Sequence, residues 1–292
     1  MVMYHLTVTT VVDALVAASQ RGVDVEIIID QTNWSTATPT SIKTALSNAG
    51  VTVTPSSTGF RITHEKSFVV DKSTAYIMSL NLTSPFVDTR DYAVVTTDTG
   101  VVNEFMSVFN ADIQNAADGT ANTPTLSSPY LAWSPVNSED RLTAFVNAAT
   151  KTLVASSENL GDPSIQQAMI AAAARGVDVR VLAPMCDQNV DVTYDLPYLT
   201  TMEQNGVTAR AMPAPPSPSL PYIHAKMMLA DGERAFIGSV NFSTASTTNA
   251  RELGIFFEDA TSIQMISAAF EQDWAQAVTP PSASDANCPS GT

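Results

Sequence analysis

The feature that most constrains this chain is a duplication. "RITHEKSFVVDKSTAYIMSLNLT" and "YIHAKMMLADGERAFIGSVNFS" carry His, Lys, Asp, Ser and Asn in the same order and at the same spacing. A second matched pair lies upstream of them: Arg21-Gly22-Val23-Asp24-Val25 and Arg175-Gly176-Val177-Asp178-Val179. An Ala-rich stretch with helical character precedes each (Val11 to Ser19; Ile165 to Ala174), the Gly reads as a helix stop, and the apolar run after it reads as a buried strand. Helix, stop and strand form the αβ part of a βαβ unit. Each copy continues through its His-Lys stretch to a short strand (Tyr76 to Met78; Ala235 to Ile237) and a charged pair (Arg90-Asp91; Arg251-Glu252). Each then closes with an amphipathic helix (Val101 to Ile113; Ser262 to Ala275). The repeating unit is a whole α/β module.

This reading divides the chain into a first half at 1–118, a Thr/Ser/Pro-rich linker at 119–137, a second half at 138–278 and a polar tail at 279–292. The expected architecture is α/β, two pseudo-symmetric halves, each a mixed, mostly parallel sheet flanked by helices. The second half opens with a helix (Ser138 to Ala149) and a strand (Thr152 to Ser156). The first begins near the equivalent of that strand, at "VMYHLT", so its opening helix is missing, either through a late start or through natural shortening.

Composition narrows the function. The 292 residues include 45% hydrophobic and 15% charged residues, which suits a large folded core. The formal charge of −15, with only fourteen Lys plus Arg, gives no long-range attraction to nucleic acid or an anionic bilayer. Phosphate chemistry would need a local cluster of donors. No apolar run is long enough to span a membrane. Cys186 and Cys288 lack metal-ligand spacing. A disulfide between them would imply an oxidising compartment and export; two unrelated thiols would suit the cytoplasm equally well. "MVMYHLTVTT" has neither the basic start nor the apolar core of a secretory signal.

Scarcity makes the duplicated stretches informative. Of three histidines, His64 and His224 fall at equivalent positions, and of five lysines so do Lys66 and Lys226. Residues two apart on a strand share a face, so each His-x-Lys would point its imidazole and ammonium the same way, with Ser79 and Asn81, or Ser239 and Asn241, beside them. Lys, Asn and Ser are donors suited to phosphate oxygens. Two opposed imidazoles suit in-line displacement, one attacking phosphorus and the other protonating the leaving oxygen. The scheme requires no metal and no cofactor, and the sequence offers no cluster with metal-ligand spacing.

The two stretches resemble the phospholipase D superfamily, whose repeated pattern is His-x-Lys-x4-Asp-x6-Gly-Ser-x-Asn. The second copy, from His224 through Gly238-Ser239-Val240-Asn241, matches throughout; the first has Met78 where Gly is usual. The resemblance covers nearly the whole chain. It implies a phospholipase D-like fold with the active site at the interface of the halves, and a ping-pong reaction through a covalent phosphohistidine. His64 would be the nucleophile and His224 the acid and later the base. Lys66, Lys226, Asn81 and Asn241 would bind phosphoryl oxygens, supported by Ser79 and Ser239. Asp71, Asp231 and Gly238 would be structural. Asp91 and Glu252 would orient the imidazoles, reaching across to the opposite half.

The resemblance leaves the substrate open. Acidity argues against a non-specific nuclease. The expected partner is a phospholipid, hydrolysed at its head-group phosphodiester or transferred to an alcohol, by a monomer making at most peripheral membrane contact. The Pro-rich "AMPAPPSPSLPYI" before His224 reads either as an apolar lip for acyl chains, with Met212, Leu220, Tyr222 and Ile223, or as an ordinary rigid loop. The alternatives are an endonuclease of the same superfamily and a non-catalytic phosphate- or lipid-binding scaffold.

Overall fold

The computed structural model describes all residues except 33–37, 84–87, 188–194, 283, 287 and 289–292. In the first half the elements are β1 (Val2–Met3), α1 (Thr9–Gln20), β2 (Glu26–Ile29), α2 (Thr40–Asn48), β3 (Thr52–Pro55), β4 (Ile62–Thr63), β5 (Lys66–Val70), β6 (Thr74–Met78), β7 (Thr89–Arg90), β8 (Ala93–Thr96) and α3 (Thr99–Asp118). There follow β9 (Leu131–Ser134), α4 (Ser138–Asn147), β10 (Thr152–Ser157), α5 (Pro163–Ala174), β11 (Asp178–Pro184), α6 (Leu196–Gln204), β12 (Thr208–Met212) and β13 (Tyr222–Ile223). The chain ends with β14 (Lys226–Ala230), β15 (Arg234–Gly238), α7 (Thr244–Thr248), β16 (Ala250–Phe257) and α8 (Ala260–Trp274). None of the described helices is long and apolar enough to cross a membrane.

Local chemistry sets the helix ends. Gly22 and Gly176 sit just past α1 and α5 with φ of 88° and 91°, a left-handed conformation that closes the last turn. Asp98, Asp162 and Asp259 cap the first turns of α3, α5 and α8 through their carboxylates.

The strands form two main sheets, ordered β3-β2-β1-β5-β6-β8 and β12-β11-β10-β14-β15-β16-β4, with β9 paired to β16. Parallel pairing joins β1, β2 and β3, and likewise β10, β11 and β12. The strands carrying the motif pair antiparallel: β5 with β6 and β6 with β8, β14 with β15 and β15 with β16. The sheets are therefore mixed rather than mostly parallel, because each motif folds as a hairpin whose turn needs no crossover helix. Asp71 and Asp231 stand in those turns with φ of 52° and 58°, a region Asp tolerates because its short side chain bonds locally. The Asp231 carboxylate accepts from the backbone N–H groups of Thr150, Lys151 and Thr152, tying the hairpin to the start of β10.

Three findings depart from two halves joined by a linker. First, the segment read as linker contributes β9, antiparallel to β16, and its Trp133 is buried with Nε1 donating to Glu104 at 3.0 Å. Second, β4 leaves the first half and pairs in parallel with β16, while β13 leaves the second half and pairs in parallel with β7. Third, one apolar cluster joins Ile28, Ile77 and Phe105 to Trp133, Leu253 and Ile255. The halves share a core, so they cannot separate without exposing it.

Gly238 lies opposite Gly254 across β15 and β16. A Cβ at Gly238 would fall 2.4 Å from the Gly254 Cα, and one at Gly254 would meet the Phe236 ring at 2.3 Å. The first half replaces this close approach with the pair Met78 and Ala93.

Cys186 and Cys288 form a disulfide, with Cα atoms 5.6 Å apart and a sequence separation of 102. Closing so long a loop removes chain entropy from the unfolded state. Cys288→Ser is expected to lower the unfolding free energy by about 2–5 kcal/mol, read as a fall in the urea midpoint; an unchanged midpoint would show that the tail detaches before the body unfolds.

Candidate functional site

The exchanged strands build the site. His64 follows β4, whose partner is β16 of the other half, and precedes β5, which belongs to its own sheet. His64 N–H donates to Arg251 O at 3.0 Å, so its imidazole is delivered beside the next residue, Glu252. Nδ1 of His64 lies 2.9 Å from Glu252 Oε2. The second half repeats the device. His224 follows β13, paired with Thr89-Arg90 of β7, and its Nδ1 lies 2.8 Å from Asp91 Oδ1. Each imidazole is held by a carboxylate of the opposite half. Nδ1–H donates to that carboxylate, which leaves Nε2 as the working nitrogen.

The motif lysines are the next layer. Lys66 and Lys226 are fully buried. Each ammonium reaches back to the carbonyl of its own motif histidine, Lys66 to His64 O at 2.6 Å and Lys226 to His224 O. The His and Lys do not share one continuous strand, since β5 and β14 start only at the Lys. What brings each ammonium beside its imidazole is this backward reach rather than strand alternation. Burying an ammonium costs several kcal/mol unless anions compensate, and the nearby carboxylates are Glu252, Asp91 and Glu158.

These charges set the protonation states. Burial pushes the His64 imidazole below its ordinary value, helped by the Lys66 charge and opposed by Glu252. His64 is therefore neutral at neutral pH, with a lone pair on Nε2. Burial and the Lys226 charge bring the Lys66 ammonium down to about 7. Burial pushes the Asp91 carboxyl up, but the His224 ring and its hydrogen bond, with Lys226, outweigh it and hold Asp91 below the usual range. For Glu158, too, burial acts upward and is overcome by His224 and Lys226. One consequence is testable. Only the protonated Lys66 attracts an anionic diester, so kcat/KM, which reports the free enzyme, is expected to fall as pH rises through about 7. A profile flat to about pH 9 would contradict the position of Lys66.

Asn81 and Asn241 are buried at the same level. The Asn241 carbonyl accepts from Ser157 Oγ at 3.3 Å and from Asn159 N–H at 3.1 Å, which turns its amide nitrogen away from these donors. Among the described residues the buried Asn81 carbonyl oxygen has no partner.

The hydroxyls of Ser79 and Ser239 are both fully buried and engaged by protein groups of the adjacent segment. Ser79 Oγ donates to Asp91 Oδ1 at 2.6 Å and accepts from Tyr92 N–H at 2.9 Å; Ser239 Oγ accepts from Leu253 N–H at 3.2 Å. Ser79 thus acts one step back, orienting, together with Thr89 at 2.8 Å, the carboxylate that orients His224. The residues read as an apolar lip divide between the core and a cleft that Met212 and Tyr222 line. Met212 and Ile223 belong to the second-half core, with Leu220 packed against it. A small cleft opens near Tyr222, walled by Pro184, Cys186, Met212, Pro213 and Pro216.

Two residues at the site escape the motif. Tyr4 lies with its ring centroid 5.0 Å from Lys66 Nζ and 4.7 Å from the His64 ring, edge-on. Glu158 Oε2 lies 2.9 Å from Lys226 Nζ and 3.5 Å from His224 Nε2. The available signal was the repeat register: Met3 pairs with Lys66 as Ser157 pairs with Lys226, so the residues that follow them are counterparts. Among the described residues, no group of three or more His, Cys, Asp or Glu side chains is arranged to hold a metal ion.

Comparison with known proteins agrees with this geometry. The family described as "Cardiolipin synthase, PLD-like domain" matches residues 1–113 and 142–274. Phospholipase D Z of Dictyostelium discoideum is 30% identical over 319 residues, covering 89% of this chain and 74% of that protein. The probable cardiolipin synthase YwiE of Bacillus subtilis (strain 168) is 24% identical over 293 residues, and the match covers 89% of this chain but 57% of that protein. Among solved structures, phosphatidylserine synthase from Haemophilus influenzae Rd KW20 superposes with a TM-score of 0.66 at 15% identity, covering 96% of this chain and 82% of that one. Polyphosphate kinase from Porphyromonas gingivalis gives 0.69 at 15% identity, covering 92% and 41%. These two share the fold. With both copies of its repeat inside the matched segments, the chain belongs to the phospholipase D superfamily, in the family of cardiolipin synthase-like domains.

Proposed function

We propose that this protein is a phosphodiesterase of the phospholipase D type that works through a covalent phosphohistidine. One observation carries the reading: two imidazoles from opposite halves, each held at Nδ1 by a carboxylate of the other half, beside two buried ammonium groups. A phosphodiester binds with its non-bridging oxygens toward Lys66, Lys226, Asn81 and Asn241. His64 Nε2 attacks phosphorus, the bond to the leaving oxygen breaks, and His224 gives that oxygen its proton. His224 then takes a proton from water or an alcohol, whose oxygen attacks phosphorus and releases His64. The ammonium groups offset charge growing on the equatorial oxygens.

The proposed substrate is a phospholipid, with the phosphatidyl group passed to water or to an alcohol. In support, the relatives are named phospholipase D and cardiolipin synthase, and a formal charge of −15 disfavours a polyanion. The test is incubation with phosphatidylcholine, phosphatidylglycerol and plasmid DNA separately. Free choline or glycerol supports the proposal. Nicked plasmid with intact lipid replaces it by an endonuclease, and inertness toward all three replaces it by a binding scaffold.

A further inference from the structure

The two halves differ at one paired position, and the difference falls on the reacting nitrogens. Tyr4 follows β1 and Glu158 follows β10 in equivalent registers. On the second-half side, His224 has a carboxylate at each ring nitrogen: Asp91 Oδ1 at 2.8 Å from Nδ1 and Glu158 Oε2 at 3.5 Å from Nε2. On the first-half side, His64 has Glu252 on Nδ1, while the Tyr4 ring fills the place corresponding to Glu158. A neutral imidazole donates through one nitrogen only; a ring with an anion at both is favoured as the doubly protonated cation. Glu158 is itself held in place. Oε2 takes the Lys226 ammonium at 2.9 Å, and Oε1 accepts from the Tyr222 hydroxyl at 3.3 Å.

We infer that Glu158 is a positioning residue that makes the two motif histidines unequal, holding His224 as the proton donor of the site and leaving His64 as the nucleophile. Its catalytic consequence rests on the reaction proposed above. At 3.5 Å the contact with Nε2 is an ion pair longer than a hydrogen bond. Glu158 therefore supplies charge without claiming the proton, which stays free to pass to the leaving oxygen. Lys226, just after it at the start of β14, His5, following β1, and Tyr222, bonded to Glu158, are further titratable groups near His224. His5 is held down to about 4 by burial and by the neighbouring cations.

The test is Glu158→Gln, which keeps the shape and removes the charge, with Glu158→Asp as the conservative control. With only three histidines in the chain, ring ¹⁵N spectra at neutral pH can be assigned by single replacements. The expected result is a His224 ring protonated at both nitrogens in the native protein and at one in Glu158→Gln, with Glu158→Asp resembling the native protein. A His224 ring unchanged by Glu158→Gln overturns the inference, and this reading needs no turnover. Kinetically, a diester with an alkyl leaving group needs the donated proton and one with p-nitrophenolate does not. Glu158→Gln should therefore slow the alkyl ester about 100-fold and the nitrophenyl ester about tenfold or less. Equal losses on both esters would mean that Glu158 only seats Lys226. If the native protein turned over neither ester while the spectra behaved as stated, the reaction would be wrong and the assignment of the proton would stand.

Discussion

His64→Ala is expected to lower phosphodiester turnover by about 10⁴-fold or more and to abolish the covalent intermediate. The argument rests on geometry rather than on the motif alone. His64 is the ring with a lone pair on Nε2, because Nδ1–H is committed to Glu252 and burial disfavours the imidazolium. It is also the more accessible ring, with 14% of its side chain exposed against 3% for His224. His224→Ala should behave differently. With a nitrophenyl ester, whose leaving group needs no proton, the phosphorylated protein should form and then persist, because the imidazole assigned to activate water is gone. Acid quench followed by mass spectrometry of the His64 peptide reads both outcomes. If His224→Ala cycles normally, or if His64→Ala still traps phosphate, the division of labour is wrong.

The second large effect is on stability. Arg251 is fully buried, its guanidinium paired with Asp112 through two hydrogen bonds of 2.8 Å and stacked near Trp133 and Phe60. Asp112 belongs to α3 of the first half and Arg251 to β16 of the second. Asp112→Ala would leave a buried, uncompensated guanidinium at the seam between the halves, with an expected cost of about 3–5 kcal/mol and a fall of roughly 10 °C in the melting temperature. Activity should fall with it, because Arg251 O accepts from His64 N–H and Glu252 is the next residue. The double variant Asp112→Leu with Arg251→Met should recover much of the stability, since an apolar pair of similar volume carries no desolvation cost. A single variant that melts like the native protein would show the pair to be dispensable.

Much of the fold was readable because its signals are local. Gly22 and Gly176 stop their helices through backbone freedom that needs no partner, and the Asp caps lie within three residues of the N–H groups they satisfy. The duplication placed the imidazoles, ammonium groups and carboxylates in corresponding registers without reference to any contact. The partners of Ser79 and Ser239 were not legible because alternation along a strand specifies a face and not what covers it; Tyr92, just before β8, and Leu253 of β16 engage the two hydroxyls. β9 was hidden in a Pro- and Ser-rich stretch, where its four residues become a strand only through pairing with β16. Glu158 stood in a loop-like context with no motif around it, and its nearness to Lys226 appears only when β10 is laid beside β14.

The sequence by itself determined that the duplicated imidazoles, ammonium groups and carboxylates come in two sets, since spacing along one chain is enough to define a repeat. The crossing of Asp91 and Glu252 to the opposite imidazoles was an expectation from the family resemblance, and the tertiary structure supplies its physical cause. That crossing depends on β4 pairing with β16 and β13 with β7, contacts between residues more than 100 positions apart that each bury a strand edge belonging to the other half. Because each edge is completed only by its opposite, neither histidine is oriented until both halves are folded together.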